Sequence, residues 1–139
     1  MSIEEKIEKL NITDINCDTW VNFSNEVVNT PLILLCSTYE DIEYMIDRGA
    51  DLNKKGPNER DRTLLDTIIY QIEIYENNIL KILRERFEMY NSFVIEQHEA
   101  IANLILRATL LIKNGAKSNK TDTTNYIINQ LLKDSRQNV

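Results

Sequence analysis

His98 is the chain's one histidine, and Glu96, Gln97 and Glu99 flank it on a stretch that reads as helical. A general base needs a proton to abstract within hydrogen-bond reach; this setting describes a solvated surface residue instead. Cys17 and Cys36 are the two cysteines. Cys36 ends the apolar run Leu32-Ile33-Leu34-Leu35-Cys36, where a thiol packs as a small hydrophobe. Cys17 lies in a polar turn with no histidine near it in sequence to activate it. Positions 17, 36 and 98 match no zinc spacing. The glycines at 49, 56 and 115 are isolated, so no phosphate-cradling loop forms. Glu4-Glu5 and Glu40-Asp41 are explained as first-turn acids favoured by the helix dipole, and Arg84, Glu85 and Arg86 as a solvated helix face. The residues therefore predict a protein that is not an enzyme and holds neither cofactor nor metal.

Charge and length narrow the class further. A chain of 139 residues is one domain's worth. A net charge of −6 repels polyanions and argues against nucleic acid as a partner. The N-terminal MSIEEKIEKL is charged and amphipathic, without the apolar core of an export signal, and no apolar run is long enough to span a membrane. Two thiols without an export signal fit a reducing compartment, so the expected location is the cytoplasm or nucleus. Ile and Asn together make up about a quarter of the residues. That bias fits AT-rich coding, as in large DNA viruses and intracellular bacteria.

The elements read as helices set off by caps. Ser2 with Glu5, Thr38 with Asp41 and Thr63 with Asp66 have capping-box spacing. Thr30-Pro31-Leu32 predicts a short buried helix over 30 to 37, with Thr30 as cap and Pro31 in the first turn. The status of the stretch around Trp20, Val21 and Phe23 stays open. Ile42, Met45 and Ile46 form the inward face of a helix that stops at Gly49. Leu65, Ile68, Ile69, Ile72, Tyr75, Ile79, Leu83, Phe87 and Tyr90 advance by threes and fours, predicting a helix of some 27 residues, about 40 Å long. After a break at Asn91-Ser92, a second long helix runs to Gly115, so the two should form an antiparallel hairpin. A last helix starts at Thr123 or Thr124, with Tyr126, Ile127, Ile128, Leu131 and Leu132 inward.

Two of the three glycines sit in one pattern, Gly-Ala-x-x-Asn, at 49 to 53 and again 66 residues later at 115 to 119. Thr30-Pro31-Leu32 is answered by Thr63-Leu64-Leu65 after 33 residues. A helix opening Thr-Pro-Leu, a second helix ending Gly-Ala-Asp-x-Asn and this spacing resemble the ankyrin repeat. The match is clearest over 30 to 53. It omits the usual histidine after the triplet, where Ile33 stands. Two arrangements fit residues 63 to 119: a decayed middle repeat, or one repeat with both helices lengthened into a protruding hairpin. Uninterrupted periodicity favours the second. The expected architecture of the 1–139 domain is thus an all-α, short ankyrin-like helical solenoid with one extended antiparallel hairpin. Residues 1 to 28 would be the N-terminal cap, and 121 to 139 the C-terminal cap and tail.

What the resemblance implies is protein binding. The basic loop with Lys54, Lys55, Asn58 and Arg60 is one expected contact. The hairpin end with Phe87, Met89, Tyr90 and Phe93 is another, unless those aromatics are buried against the N-terminal segment around Trp20. The expectation is a non-catalytic protein–protein interaction module, extended by composition to a viral or bacterial factor in a host cell. Two alternatives remain: an acidic helical decoy for a nucleic-acid-binding protein, disfavoured by interspersed charges, and a structural subunit forming a homo-oligomer through the hairpin.

Overall fold

The computed structural model of the protein describes residues 2–23, 26–56, 62–85, 90–118, 123 and 125–137. Its elements run α1 (Ile3–Lys9), β1 (Asp18–Phe23), β2 (Glu26–Pro31), a 3-10 turn (Leu32–Leu35), α2 (Tyr39–Asp47), α3 (Leu64–Glu85), α4 (Tyr90–Lys113) and α5 (Tyr126–Gln137). The chain is mostly helical, as its apolar spacing predicts, but it is not purely so. β1 and β2 pair antiparallel, with Trp20 opposite Asn29 and Val21 opposite Val28. Thr19, Val21, Val27, Val28 and Thr30 are β-branched residues, which fit a pleated ribbon better than a helix.

That ribbon displaces the helix expected over 30 to 37. Pro31 closes β2 in an extended conformation, and the Leu32 N–H donates to the Cys17 carbonyl at 3.0 Å. Thr30 lies in β2 opposite Thr19 and caps no helix. Only the 3-10 turn remains, closed by the Cys36 N–H on the Ile33 carbonyl. Leu32 and Ile33 are nevertheless buried.

The caps form where their spacing puts them. Ser2 Oγ accepts the Glu5 N–H at 3.2 Å, and Thr38 Oγ1 accepts the Asp41 N–H at 3.1 Å. Thr63 and Asp66 bond reciprocally, each side chain accepting the other's N–H at 3.2 Å. Asp41 reaches further than a local cap. Its buried carboxylate accepts the Ile3 N–H at 3.0 Å and the Ser37 N–H at 3.2 Å, so one side chain joins the start of α1 to the start of α2. A buried carboxylate satisfied in this way avoids the cost of an unpaired charge.

The Thr63 hydroxyl donates to the Lys117 carbonyl, and the Ser118 hydroxyl to the Asp66 carboxylate. The start of α3 therefore lies beside the end of α4, and the two helices are antiparallel. α2 packs on one side of α4 and α5 also packs on α4. Ile42 and Met45, Leu65, Ile68 and Ile72, Ala108 and Leu111, and Ile128 and Leu132 form one core with Ile3.

Two helix boundaries differ from the sequence reading. α4 already begins at Tyr90, so Asn91-Ser92 lies in its first turn instead of in a break. α5 begins at Tyr126, capped by Asn125, whose Oδ1 accepts the Ile128 N–H at 3.0 Å; Thr123 precedes it, and Thr124 lies outside the described residues. As the final helix it buries a single stripe, Ile128 and Leu132. Tyr126 and Ile127, expected inward, are 78% and 51% exposed because they point off that stripe.

Candidate interaction surface

Three helices end in the same closure. After α2, Gly49 N–H donates to the Ile46 carbonyl and Ala50 N–H to Met45; after α4, Gly115 donates to Ile112 and Ala116 to Leu111. After α1, Asn11 donates to Glu8 and Ile12 to Ile7. Each is a Schellman pairing, which needs its first residue in the left-handed region. The φ values are 74° at Gly49, 96° at Gly115 and 52° at Asn11. Asparagine is one of the few other residues that visits this region readily. The third turn escapes a search for Gly-Ala because Asn11-Ile12 stands in its place.

Asparagines lace these turns together. Asn16 Oδ1 accepts the Asp51 N–H at 2.7 Å, and Asn53 Oδ1 accepts the Lys117 N–H at 2.7 Å. Asn53 Nδ2 also donates to the Gly115 carbonyl at 3.2 Å. Behind each asparagine an aspartate fixes its backbone: Asp14 accepts the Asn16 N–H at 2.9 Å, and Asp51 accepts the Asn53 N–H at 3.0 Å. Asp14-Ile15-Asn16 and Asp51-Leu52-Asn53 thus have the same role in successive layers. The repeated Asp-x-Asn was the sequence signal for the first turn.

The β1–β2 ribbon leaves the chain beside this row of turns. Strand alternation and register put Asp18, Trp20, Val27 and Asn29 on one face. Trp20 is 71% exposed and its diagonal neighbour Val27 is 61% exposed. Together they make an apolar strip on one face of the ribbon, and tryptophan is a residue type enriched at protein interfaces. Lys54 braces the ribbon's base. Its Nζ donates to the Asn16 carbonyl and lies 3.4 Å from the Asp18 carboxylate.

The expected contact residues lie in different settings. Lys54 is engaged within the fold, and Lys55 beside it is exposed. Asn58, Arg60, Phe87 and Met89 lie outside the described residues. Tyr90 opens α4, and Phe93, one turn on, is half-buried. The Trp20 ring, the other expected neighbour of those aromatics, is exposed on the ribbon. Trp20 and Val27 are the surface residues that the sequence reading missed. They went unnoticed because the stretch had no settled secondary structure, and the face of a side chain follows from it.

Both cysteine thiols are shifted up. Burial, with the nearby Asp41 carboxylate adding to it, pushes the Cys36 thiol up to about 12. Cys17 is also raised, by burial first and then by Asp14 and Asp18. Among the described residues no three His, Cys, Asp or Glu side chains gather into a metal-binding group, and no helix is long and apolar enough to cross a membrane. No family model, curated protein or solved structure matches the chain.

Proposed function

We propose that the protein is a short, ankyrin-like stack of helical layers that binds another protein without catalysis. The observation that carries this reading is Trp20, 71% exposed on a ribbon whose base Lys54 ties down. An aromatic held in place on a projecting element is the usual anchor of a protein interface, where a few large side chains supply most of the binding energy. The layered reading is supported by the asparagines that join successive turns, each reaching the same place in its neighbour. In stacked repeats each unit touches only the next, which leaves connecting ribbons and loops free to vary for recognition.

The test is photo-crosslinking. A photoreactive residue placed at Val27, on the anchor face but outside the ring itself, should trap a discrete partner in a lysate of the native cell. Trp20→Ser in the same chain should abolish that product while leaving the thermal midpoint unchanged. An identical product pattern with and without Trp20 would sink the anchor.

A further inference from the structure

The two layers differ in height. The 3-10 turn and α2 contain 4 and 9 residues, whereas α3 and α4 contain 22 and 24. The hairpin therefore rises past the edge of the shorter pair and leaves a step. A groove of about 380 Å³ opens there, with Leu34 on the short side and Gln71, Tyr75, Asn103, Leu104 and Arg107 on the hairpin.

Its charge runs against that of the protein. The chain carries a net −6, yet no aspartate or glutamate lines this groove and an arginine does. Arg107 uses one N–H on the Ser37 carbonyl at 2.7 Å. The ion pair found among the described residues is Lys54 with Asp18, so no described carboxylate pairs with the Arg107 guanidinium. A guanidinium has five N–H donors in a fork that matches a carboxylate. Gln71 and Asn103 each offer both a donor and an acceptor, the complement of a peptide main chain. Leu34 and Leu104 give an apolar floor. Above the groove the wall continues along α3, since Asn78 and Ile82 follow Gln71 and Tyr75 at helical spacing and are half-buried.

We infer that this groove binds an extended, acidic segment of a partner protein, its carboxylate on the Arg107 guanidinium and its main chain held between Gln71 and Asn103. The long wall favours a chain over a small acid, which would fill the groove's floor and leave the wall bare. The inference rests on the reading of the protein as an interaction module, but its surface is separate from the Trp20 face.

The experiment uses the full chain and fluorescence anisotropy. One probe is a pool of short fluorescein-labelled peptides with a fixed Leu-x-Glu centre and random flanks; the second pool has Lys in place of Glu; glutarate serves as a small competitor. The acidic pool should bind and the basic pool should not. Arg107→Gln should weaken binding about tenfold or more, the range of a lost charge-assisted hydrogen bond, and Arg107→Lys should retain some of the affinity. Gln71→Glu places a carboxylate in the groove without touching the Arg107–Ser37 contact, and should weaken binding to a similar degree even if Arg107→Gln perturbs folding. Tyr126→Ser, on α5 and outside the groove lining, should leave peptide binding unchanged. Equal binding of both pools, or acidic-pool affinity indifferent to Gln71→Glu, overturns the inference. Displacement by glutarate at the peptide's own concentration overturns it in favour of a small-carboxylate site. A groove that fails while Trp20 still governs crosslinking removes this inference and leaves the interaction module standing.

Discussion

The two halves of the α3–α4 hairpin carry the same kind of apolar spacing and end in different surroundings. Near the turns, Leu65, Ile68, Ile69 and Ile72 of α3 and Leu104, Ala108 and Leu111 of α4 are all buried. Each helix also has an exposed face there, with Tyr70 and Leu106 on it; farther out, Ile74, Leu80 and Leu83 of α3 and Ile95 of α4 are all more than a third exposed, and Val94 is the one buried residue among those described beyond Ile72 and before Ile101. Residue type does not separate the halves, since isoleucine and leucine recur in both. Neighbours do. The inner half is flanked by the α2 and α5 layers, while the outer half has its partner helix. Helical periodicity specifies a helix and a stripe; a second layer is needed to turn the stripe into a core.

Cavity formation should separate the two halves most strongly. Ile68→Ala or Ile72→Ala should cost about 2–5 kcal/mol of unfolding free energy, the range for large-to-small changes in a packed core. Leu80→Ala should cost less than about 0.5 kcal/mol, as for surface positions. Urea denaturation of each variant measures both, and equal losses would erase the distinction between the halves.

A second effect reports how dry the inner region is. Cys36 stays neutral in the folded chain up to about 12, while an unfolded thiol ionises at its ordinary 9.0. Between those values the unfolded state has lost a proton that the folded state keeps, so stability falls as pH rises, by about 1.4 kcal/mol per pH unit. Below 9.0 this contribution to the slope vanishes. Cys36→Ala should flatten the alkaline limb relative to the native chain in denaturant titrations at stepped pH; parallel limbs would mean that water reaches the thiol.

Smaller again is the lacing between turns. Asn53→Ala removes two hydrogen bonds to the neighbouring turn and should cost about 1–2 kcal/mol. Asn16→Ala should couple to it in a double-mutant cycle, because Asn16 holds the Asp51 N–H and Asp51 in turn holds the Asn53 N–H. The smallest effect concerns the turns themselves. A Cβ at Gly49 would meet no atom within 4 Å, so Gly49→Ala incurs backbone strain alone, about 1 kcal/mol. Gly49→Asn should cost less, since Asn11 already holds this conformation. Thermal midpoints rank the pair, and a larger loss for Asn would contradict the shared turn geometry.

Local chemistry was what this sequence made legible. The Thr38 and Thr63 caps and the Gly49 and Gly115 closures are short-range, each set by residues within a few positions of one another. The long helices were legible for the same reason. The ribbon was not, because Thr30-Pro31-Leu32 carries a strong helix-start signal that is overridden from a distance, by the Cys17 carbonyl taking the Leu32 N–H. Burial at α5 failed similarly: Tyr126 and Ile127 look as apolar as Ile128, and only the position of α4 separates them. Trp20 as a candidate anchor depended on strand register, which no single position reveals. The asparagine lacing was half visible. Its residues repeat in the sequence, but the contact from Asn53 to Lys117 crosses 64 positions.

Amide hydrogen exchange of the native chain tests most directly the claim that the inner half is stacked between layers and the outer half is not. Both halves are helical, so intrahelical bonding alone gives no reason for them to differ. Amides over 65 to 72 and 104 to 112 should exchange only through global unfolding, while those over 77 to 85 should exchange through local opening at far lower free energy. Uniform protection along the whole of α3 would contradict it.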